Sequence, residues 1–362
     1  MANAFASKLN RRTNRRSFLA GLGAAAVGLT FTRNARASEE KKLNFYNWDT
    51  YIGNTTLDDF KNATGIDVNM SLYATNDELF AKLSSGNSGF DVVVPGSEFV
   101  EPMIAAGLLE PLDHARIPNI KNIDPTFIID APYDPGRVYS LPYTYLVIGI
   151  GYRKSRVKSV PDTWKVLFDS DQYKSRIAVV SDASELYRHV FKYLGESANN
   201  PTPELIKRAE RILAMQRPYI KSFHEDNGQD LLLSGEVDLV MEYNGDIAQI
   251  MEEDDDIDFV VPKEGALKQS DTLAIPKGAP HPENAHAFIN FLLDANVGKD
   301  IFTTIKFPSP NAAATALMPE SYRNNPVIFP PAEVMAKCEY PRYAGQEISR
   351  LFDESMTRLR TE

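Results

Sequence analysis

The chain has 362 residues, 43% hydrophobic and 24% charged, with a net charge of −10. That composition describes a soluble globular protein long enough for two domains, and a field of that sign disfavours nucleic acid and anionic lipid as partners. The single cysteine, Cys338, excludes an intrachain disulfide, thiolate zinc clusters and iron–sulfur ligation.

The first 37 residues read apart from the rest. Residues 8–16, "KLNRRTNRR", are basic, and 17–31, "SFLAGLGAAAVGLTF", form an apolar run too short to span a bilayer comfortably. "ARA" at 35–37 offers small residues to a signal peptidase. "NRRSFLAG", with Arg15 and Arg16 paired, is the pattern of a twin-arginine export signal. The expectation is a cleaved leader over 1–37 and a mature periplasmic chain starting near Ser38. The leader holds seven Lys/Arg and no Asp/Glu, so its loss takes the net charge from −10 to −17. Such a charge tilts the odds toward a cationic partner.

"LNFYNW" alternates as a strand. A helix over "TLDDFKNAT" follows, with Asn54 or Thr55 as cap and Gly65 as stop. "IDVNMSLY" (66–73) is a strand, and Asn76 is placed to cap "DELFAKLSS". "FDVVVP" (90–95) is a continuous apolar strand, and "EFVEPMIAAG" a helix closed by Gly107. Strand and helix in alternation predict parallel sheets. The run "SLPYTYLVIGIGYRK" (140–154) predicts a crossover between lobes. Strands "RIAVV", "VDLVMEY", "IDFVVP" and "DTLAIP" follow, with helices over "ASELYRHVFKYLG", "ELIKRAERILAMQ" (capped by Thr202) and the pair "PENAHAFINFLLDANVGKDIFTTI". No flexible linker is evident. Two lobes joined by several strands, rather than one tether, can only hinge.

Such α/β lobes bind ligands beyond the carboxyl ends of their strands. Trp48, Asp49 and Tyr51 follow the first strand; Ser97 and Glu98 follow "VVVP"; Asp182 and Glu185 follow "IAVV"; Tyr243 and Asp246 follow "VDLVME". Asp182 and Glu185 also fit a capping box, and Asp246 fits a turn that caps a helix. None of the five histidines lies in an HExxH, and no GxSxG elbow or P-loop is present. No enzymatic activity, metal or cofactor is expected. Acids at Asp49, Glu98, Asp182, Glu185, Asp246 and Asp271 and rings at Trp48, Tyr51, Tyr243 and Phe307 form one coherent set. Carboxylates without basic partners gather only around a cation or a shared proton, and aromatic faces favour organic cations and cover methylenes. The set suits an alkylammonium with an apolar spacer.

At this point the residues carry a recognisable pattern. "FYNWDTYI", "TGIDVNMSLYATNDEL", "FDVVVPGSEFV", "YSLPYTYLVIGIGY", "YNGD", "PKEGALKQSDTLAIP", "AHAFINFLLD" and "FPSPNAAA", in that order, resemble the periplasmic spermidine/putrescine-binding proteins of polyamine ABC transporters, from about residue 43 to about residue 335. The resemblance implies an α/β fold of two lobes, each a mostly parallel sheet flanked by helices, joined by hinge strands. Lobe 1 would span 38–145 plus 271–316, and lobe 2 would span 146–270 plus 317–362. It implies a polyamine captured in the interlobe cleft of a monomer and delivered by hinge closure to a membrane permease with a cytoplasmic ATPase. By the same resemblance Trp48, Tyr51 and Tyr243 are walls, Asp182 and Glu185 an amine-binding pair, Asp246 a further acid and Asp271 the principal one.

The sequence departs from the family pattern in four places. Gly96 and Glu98 stand where the family has Ser followed two residues later by Tyr or Ser, Gln269 stands for an aromatic, Phe307 for a tyrosine, and the family's C-terminal Gln has no secure counterpart near residues 340–346. The extra carboxylate suits a longer or more highly charged amine. The alternatives are another amine or amino-acid-like solute, such as an opine or γ-aminobutyrate, with Arg137, Arg153 or Arg342 as anion partner, or a periplasmic hydrolase using paired carboxylates.

Overall fold

The computed structural model describes residues 39–129 and 131–361, so the expected leader lies outside the described residues. In chain order its strands are β1 (Lys42–Asn47), β2 (Asp67–Leu72), β3 (Val92–Val93), β4 (Leu109–Glu110), β5 (Ser140–Pro142), β6 (Leu146–Arg153), β7 (Ile177–Val180), β8 (Ile220–His224), β9 (Leu239–Tyr243), β10 (Ile257–Val260), β11 (Lys268–Gln269) and β12 (Thr272–Pro276). One sheet runs β2-β1-β3-β12-β4, with β5 added on β12. The other runs β10-β6-β9-β7-β8, with β11 added on β6. Among the described residues no helix is long and apolar enough to cross a membrane.

The sheets are mixed, which corrects the expectation of mostly parallel ones. Only β1–β2, β1–β3, β7–β8 and β7–β9 pair in parallel. The reason lies in two strands that arrive from the other half of the molecule. β12 enters the first sheet antiparallel to β3, β4 and β5, and β6 enters the second antiparallel to β9, β10 and β11.

The alternation in β1 explains how the first sheet is covered on both faces. Successive strand residues point to opposite sides. Phe45 meets Phe288 edge-on at 5.1 Å, and Phe288 meets Phe60 at 5.0 Å, so helices Thr56–Thr64 and Pro282–Leu292 cover that face. Tyr46 points the other way and stacks on Phe90 at 4.1 Å. Each fully buried phenylalanine here is worth about 1.5–3 kcal/mol. Helix Thr56–Thr64 carries Asp58 and Asp59 in its first turn and Lys61 in its last, and it stops at Gly65, where φ is 73°. Both charge placements favour the helix dipole, and glycine takes that backbone conformation without strain.

Asn76 does not cap the next helix. Thr75, whose backbone is extended, accepts from Glu78 N at 3.1 Å, and Asn76 becomes the first helical residue. Its amide is thereby free to accept from Gly96 N at 2.9 Å and donate to Glu98 Oε1 at 3.1 Å.

The β-rich run at 140–154 is split in two. β5 belongs to the first sheet and β6 to the second, and 143–145 cross between them. β11 and β12 make a second crossing at 270–271. The two crossings clasp each other: Tyr143 N donates to Asp271 O at 2.8 Å and Ser270 Oγ to Thr144 O at 2.8 Å. On the second sheet's side, helix Gln346–Thr361 packs on helix Ala183–Tyr193. Phe352 faces Tyr187 and Phe191, and Tyr187 Oη donates to Ser355 Oγ at 2.7 Å.

Candidate functional site

The carboxyl ends of β1, β7, β8 and β9 converge with the crossings on a cavity of about 670 Å³, its open mouth included. Strand β1 delivers Trp48 and Asp49, and the turn after it delivers Tyr51. Trp48 Nε1 donates to Val94 O at 2.9 Å, which fixes the indole as a wall. Asp49 is exposed at the rim. Tyr51 is buried, and its hydroxyl donates to Asp271 Oδ2 at 2.6 Å and lies 2.5 Å from Thr144 Oγ1. Its ring stands edge-on to Phe307 at 4.9 Å. Asp271 itself sits in the second crossing. Burial raises its carboxyl to about 6, with Tyr51 and Thr144 pulling the other way.

Asp182 both caps and lines. Its carboxylate accepts from Glu185 N at 2.8 Å at the start of helix Ala183–Tyr193, so the capping half of the sequence pattern holds. Glu185 does not fold back. It accepts from Tyr243 Oη at 2.8 Å and from Gln269 Nε2 at 2.6 Å, and all four residues line the cavity. Burial raises both acids, and Asp182 pushes Glu185 up further.

Asp246 is not an N-cap. Tyr243 takes that position, and Asp246 lies inside the first turn of helix Asn244–Ile250. There it is buried and held well above the usual carboxylate range, first by burial and then by Glu242, Asp271 and Asp49. Gly245 beside it has no room for a side chain: a Cβ would stand 2.3 Å from Phe307 Cδ2. Gly245→Ala is expected to cost about 1–3 kcal/mol through overpacking, measured as a lowered midpoint in thermal denaturation. An unchanged midpoint would mean that the ring yields freely.

Ten of the twelve residues expected from the sequence line this cavity. Ser97 and Glu98 do not, which corrects their placement. Ser97 opens helix Ser97–Ala105, with its backbone N bound to Ser270 O at 2.9 Å. Glu98 is turned toward Asn76 and lines neighbouring cavities. Conversely, Glu225 and Asp226 line the cavity and were not foreseen. Burial raises Asp226 to about 9, followed by Asp246, Asp49 and Asp271. Their signal in "IKSFHEDNG" is a strand followed by acids, but Lys221 and Ser222 obscure the strand, because β8 lies at the sheet's edge.

The wall therefore holds seven carboxylates, from Asp49, Asp182, Glu185, Glu225, Asp226, Asp246 and Asp271, and no Lys, Arg or His. The arginines considered from the sequence are placed elsewhere. Arg137 donates to Phe127 O and to Tyr133 Oη, and Arg153 to Asp254 and the carbonyls of Leu232 and Leu233. Arg342 lines neighbouring cavities. Among the described residues no group of His, Cys, Asp and Glu is arranged to hold a metal ion.

Two sheets linked by clasped crossings, with a ligand-sized acidic cavity at their strand ends, define a two-lobed solute-binding protein. The model of the bacterial extracellular solute-binding protein family matches residues 55–330, and the chain belongs to that family. It is 34% identical to the putrescine-binding periplasmic protein SpuD of Pseudomonas aeruginosa, over 91% of this chain and 93% of that protein. It is also 34% identical to the spermidine/putrescine-binding periplasmic protein of Escherichia coli, over 94% and 97%. Among solved structures, the substrate-binding protein PotD of Streptococcus pneumoniae is 27% identical and covers 89% of this chain and 99% of its own, with a TM-score of 0.76. The resemblance read from the sequence is borne out, as is the periplasmic location. The relatives are solute-binding proteins.

Proposed function

We propose that the protein captures a polyamine of the putrescine/spermidine type between its lobes and hands it to an ABC permease with a cytoplasmic ATPase. The observation that carries this reading is the wall of seven carboxylates without a basic side chain. Alkylammonium groups keep their charge far above neutral pH, so they can neutralise such a wall where a neutral solute cannot. Trp48, Tyr51, Tyr243 and Phe307 supply rings for the methylenes between the nitrogens. The relatives described above, which are putrescine- and spermidine/putrescine-binding proteins, support this choice. A zwitterionic solute such as an opine or γ-aminobutyrate fits poorly, since its carboxylate would find no cationic partner on the wall.

In this reading the lobes are 38–145 plus 271–316 and 146–270 plus 317–362, they turn about the crossings, and ligand contacts from both favour the closed form of a monomer. The test is a thermal-shift screen with putrescine, cadaverine, spermidine, spermine, N-acetylputrescine and neutral amino acids. The free polyamines should raise the melting temperature. N-acetylputrescine should bind at least tenfold more weakly than putrescine, because one carboxylate cluster stays unpaired. Stabilisation by the amino acids alone would refute the proposal.

A further inference from the structure

His189 lies one turn after Glu185 on helix Ala183–Tyr193, is fully buried and does not line the cavity. Its ring nitrogens have one arrangement open to them. Leu267 N can only donate, and it reaches Nε2 at 3.1 Å, so Nε2 carries no proton. Nδ1 therefore holds the proton and donates it to Glu185 O at 2.7 Å. Burial holds the ring's pKa down to about 3, so at neutral pH the imidazole is uncharged.

The two partners belong to different parts of the wall. Glu185 is itself a wall residue, and Leu267 leads into β11, which carries Gln269 and then Asp271. That lead-in is held at a second point. Trp164 Nε1 donates to Gly265 O at 2.8 Å, and the indole stands edge-on to the His189 ring at 4.8 Å. Beyond it, Gln269 Nε2 donates to Glu185 Oε1 at 2.6 Å, and Tyr243 Oη donates to the same oxygen at 2.8 Å. Both bonds fall on Oε1, which leaves Oε2 for an ammonium nitrogen. One imidazole thus holds the main chain beneath the acid and the main chain that carries the acid's amide partner. Without the ring, Leu267 N would lose its acceptor in the interior, and Gln269 would lose its register against Glu185.

We propose that His189 is a positioning residue for ligand binding: protonated on Nδ1, it sets Glu185 and Gln269 in register so that Glu185 presents Oε2 to the ligand. This rests on the polyamine reading above and adds to it a residue that never touches the cavity.

Three variants separate the two bonds of the ring. His189→Gln places an amide oxygen near Nε2 and keeps an acceptor for Leu267 N. His189→Asn places an amide nitrogen near Nδ1 and keeps only the donor to Glu185 O, and His189→Phe keeps neither. In calorimetric titrations with putrescine, the Phe and Asn variants should bind about tenfold more weakly than the wild type, and the Gln variant should recover to within about threefold of it. A merely structural role would lower the melting temperature and leave the dissociation constant of the folded protein unchanged. That result, or a Gln variant no better than the Phe variant, overturns the proposal and leaves the first site standing. A second readout needs no variant. Nitrogen NMR of the wild type should show Nδ1 protonated and Nε2 bare, with both signals displaced at saturating putrescine. A proton on Nε2, or signals that putrescine leaves in place, overturns the proposal even if no variant folds. A wild type that does not bind putrescine overturns the underlying reading and the positioning role with it.

Discussion

Asp271→Asn is expected to lower diamine affinity at least tenfold while the protein still unfolds in one cooperative transition. The carboxylate is the acceptor for Tyr51 Oη at 2.6 Å and lies 3.5 Å from Thr144 Oγ1. Asparagine keeps a carbonyl for Tyr51 but removes the charge and turns an NH₂ group toward the ligand. A charge-assisted hydrogen bond contributes about 1.5–3 kcal/mol, and about 1.4 kcal/mol is tenfold in affinity. The fold should tolerate the change, since at neutral pH a buried carboxylate whose pKa is raised to about 6 is itself a cost that the amide removes. Isothermal titration calorimetry with putrescine measures the affinity. Wild-type affinity in the variant would remove Asp271 from the site.

The second large effect is one of pH. Asp271 titrates near 6, Glu98 near 8 and Asp226 near 9, while Glu185 and Asp246 are held well above their ordinary values, in each case chiefly by burial. A bound ammonium favours the charged form of each, so binding expels protons. Affinity for a diamine should therefore fall steadily from pH 8 to pH 5, and titrations in buffers of different ionisation enthalpy should reveal net proton release. The sign for stability is opposite. A folded-state pKa above the unfolded value means that the native state holds more protons, so ligand-free stability is greatest below the unfolded values and declines as pH rises through 6 to 9. Glu339 works the other way: against burial, Lys192 and Ser197 keep it below its ordinary value, so its contribution is lost in acid. The ligand-free melting temperature should peak near pH 5 and fall toward pH 9, and saturating putrescine should flatten that fall. A melting temperature that rises from pH 6 to 8 without ligand would contradict the acidic-cleft account.

Much of this was legible in the sequence where periodicity and turn chemistry act locally. Helix Thr56–Thr64 with its glycine stop, and Asp182 accepting from the backbone of its own helix, follow from neighbours in the chain. What failed depended on distant partners. Thr75 took the cap predicted for Asn76 because Asn76 is bound across the molecule to Gly96 and Glu98. Strand β8 escaped notice because an edge strand tolerates Lys221, and Asp226 was lost with it. The antiparallel character of both sheets could not be read because it arises where β6 and β12 leave one sheet for the other. At the site, the acids and rings were recognisable as a set, but Glu98 could not be separated from the first cavity without knowing where helix Ser97–Ala105 lies.

The clasp between the crossings has one more consequence. The main-chain oxygen of Asp271 receives Tyr143 N, and its side chain receives Tyr51, so a single residue is stitched into both the joint and the wall. If the lobes close on their ligand as proposed, this puts the recognition element on the axle instead of the teeth. On that proposal, a change that retunes cargo choice at this position is expected also to alter how easily the empty lobes swing. Selection for new cargo is therefore expected to be freer at the rim, where Asp49 is exposed, than at the pivot.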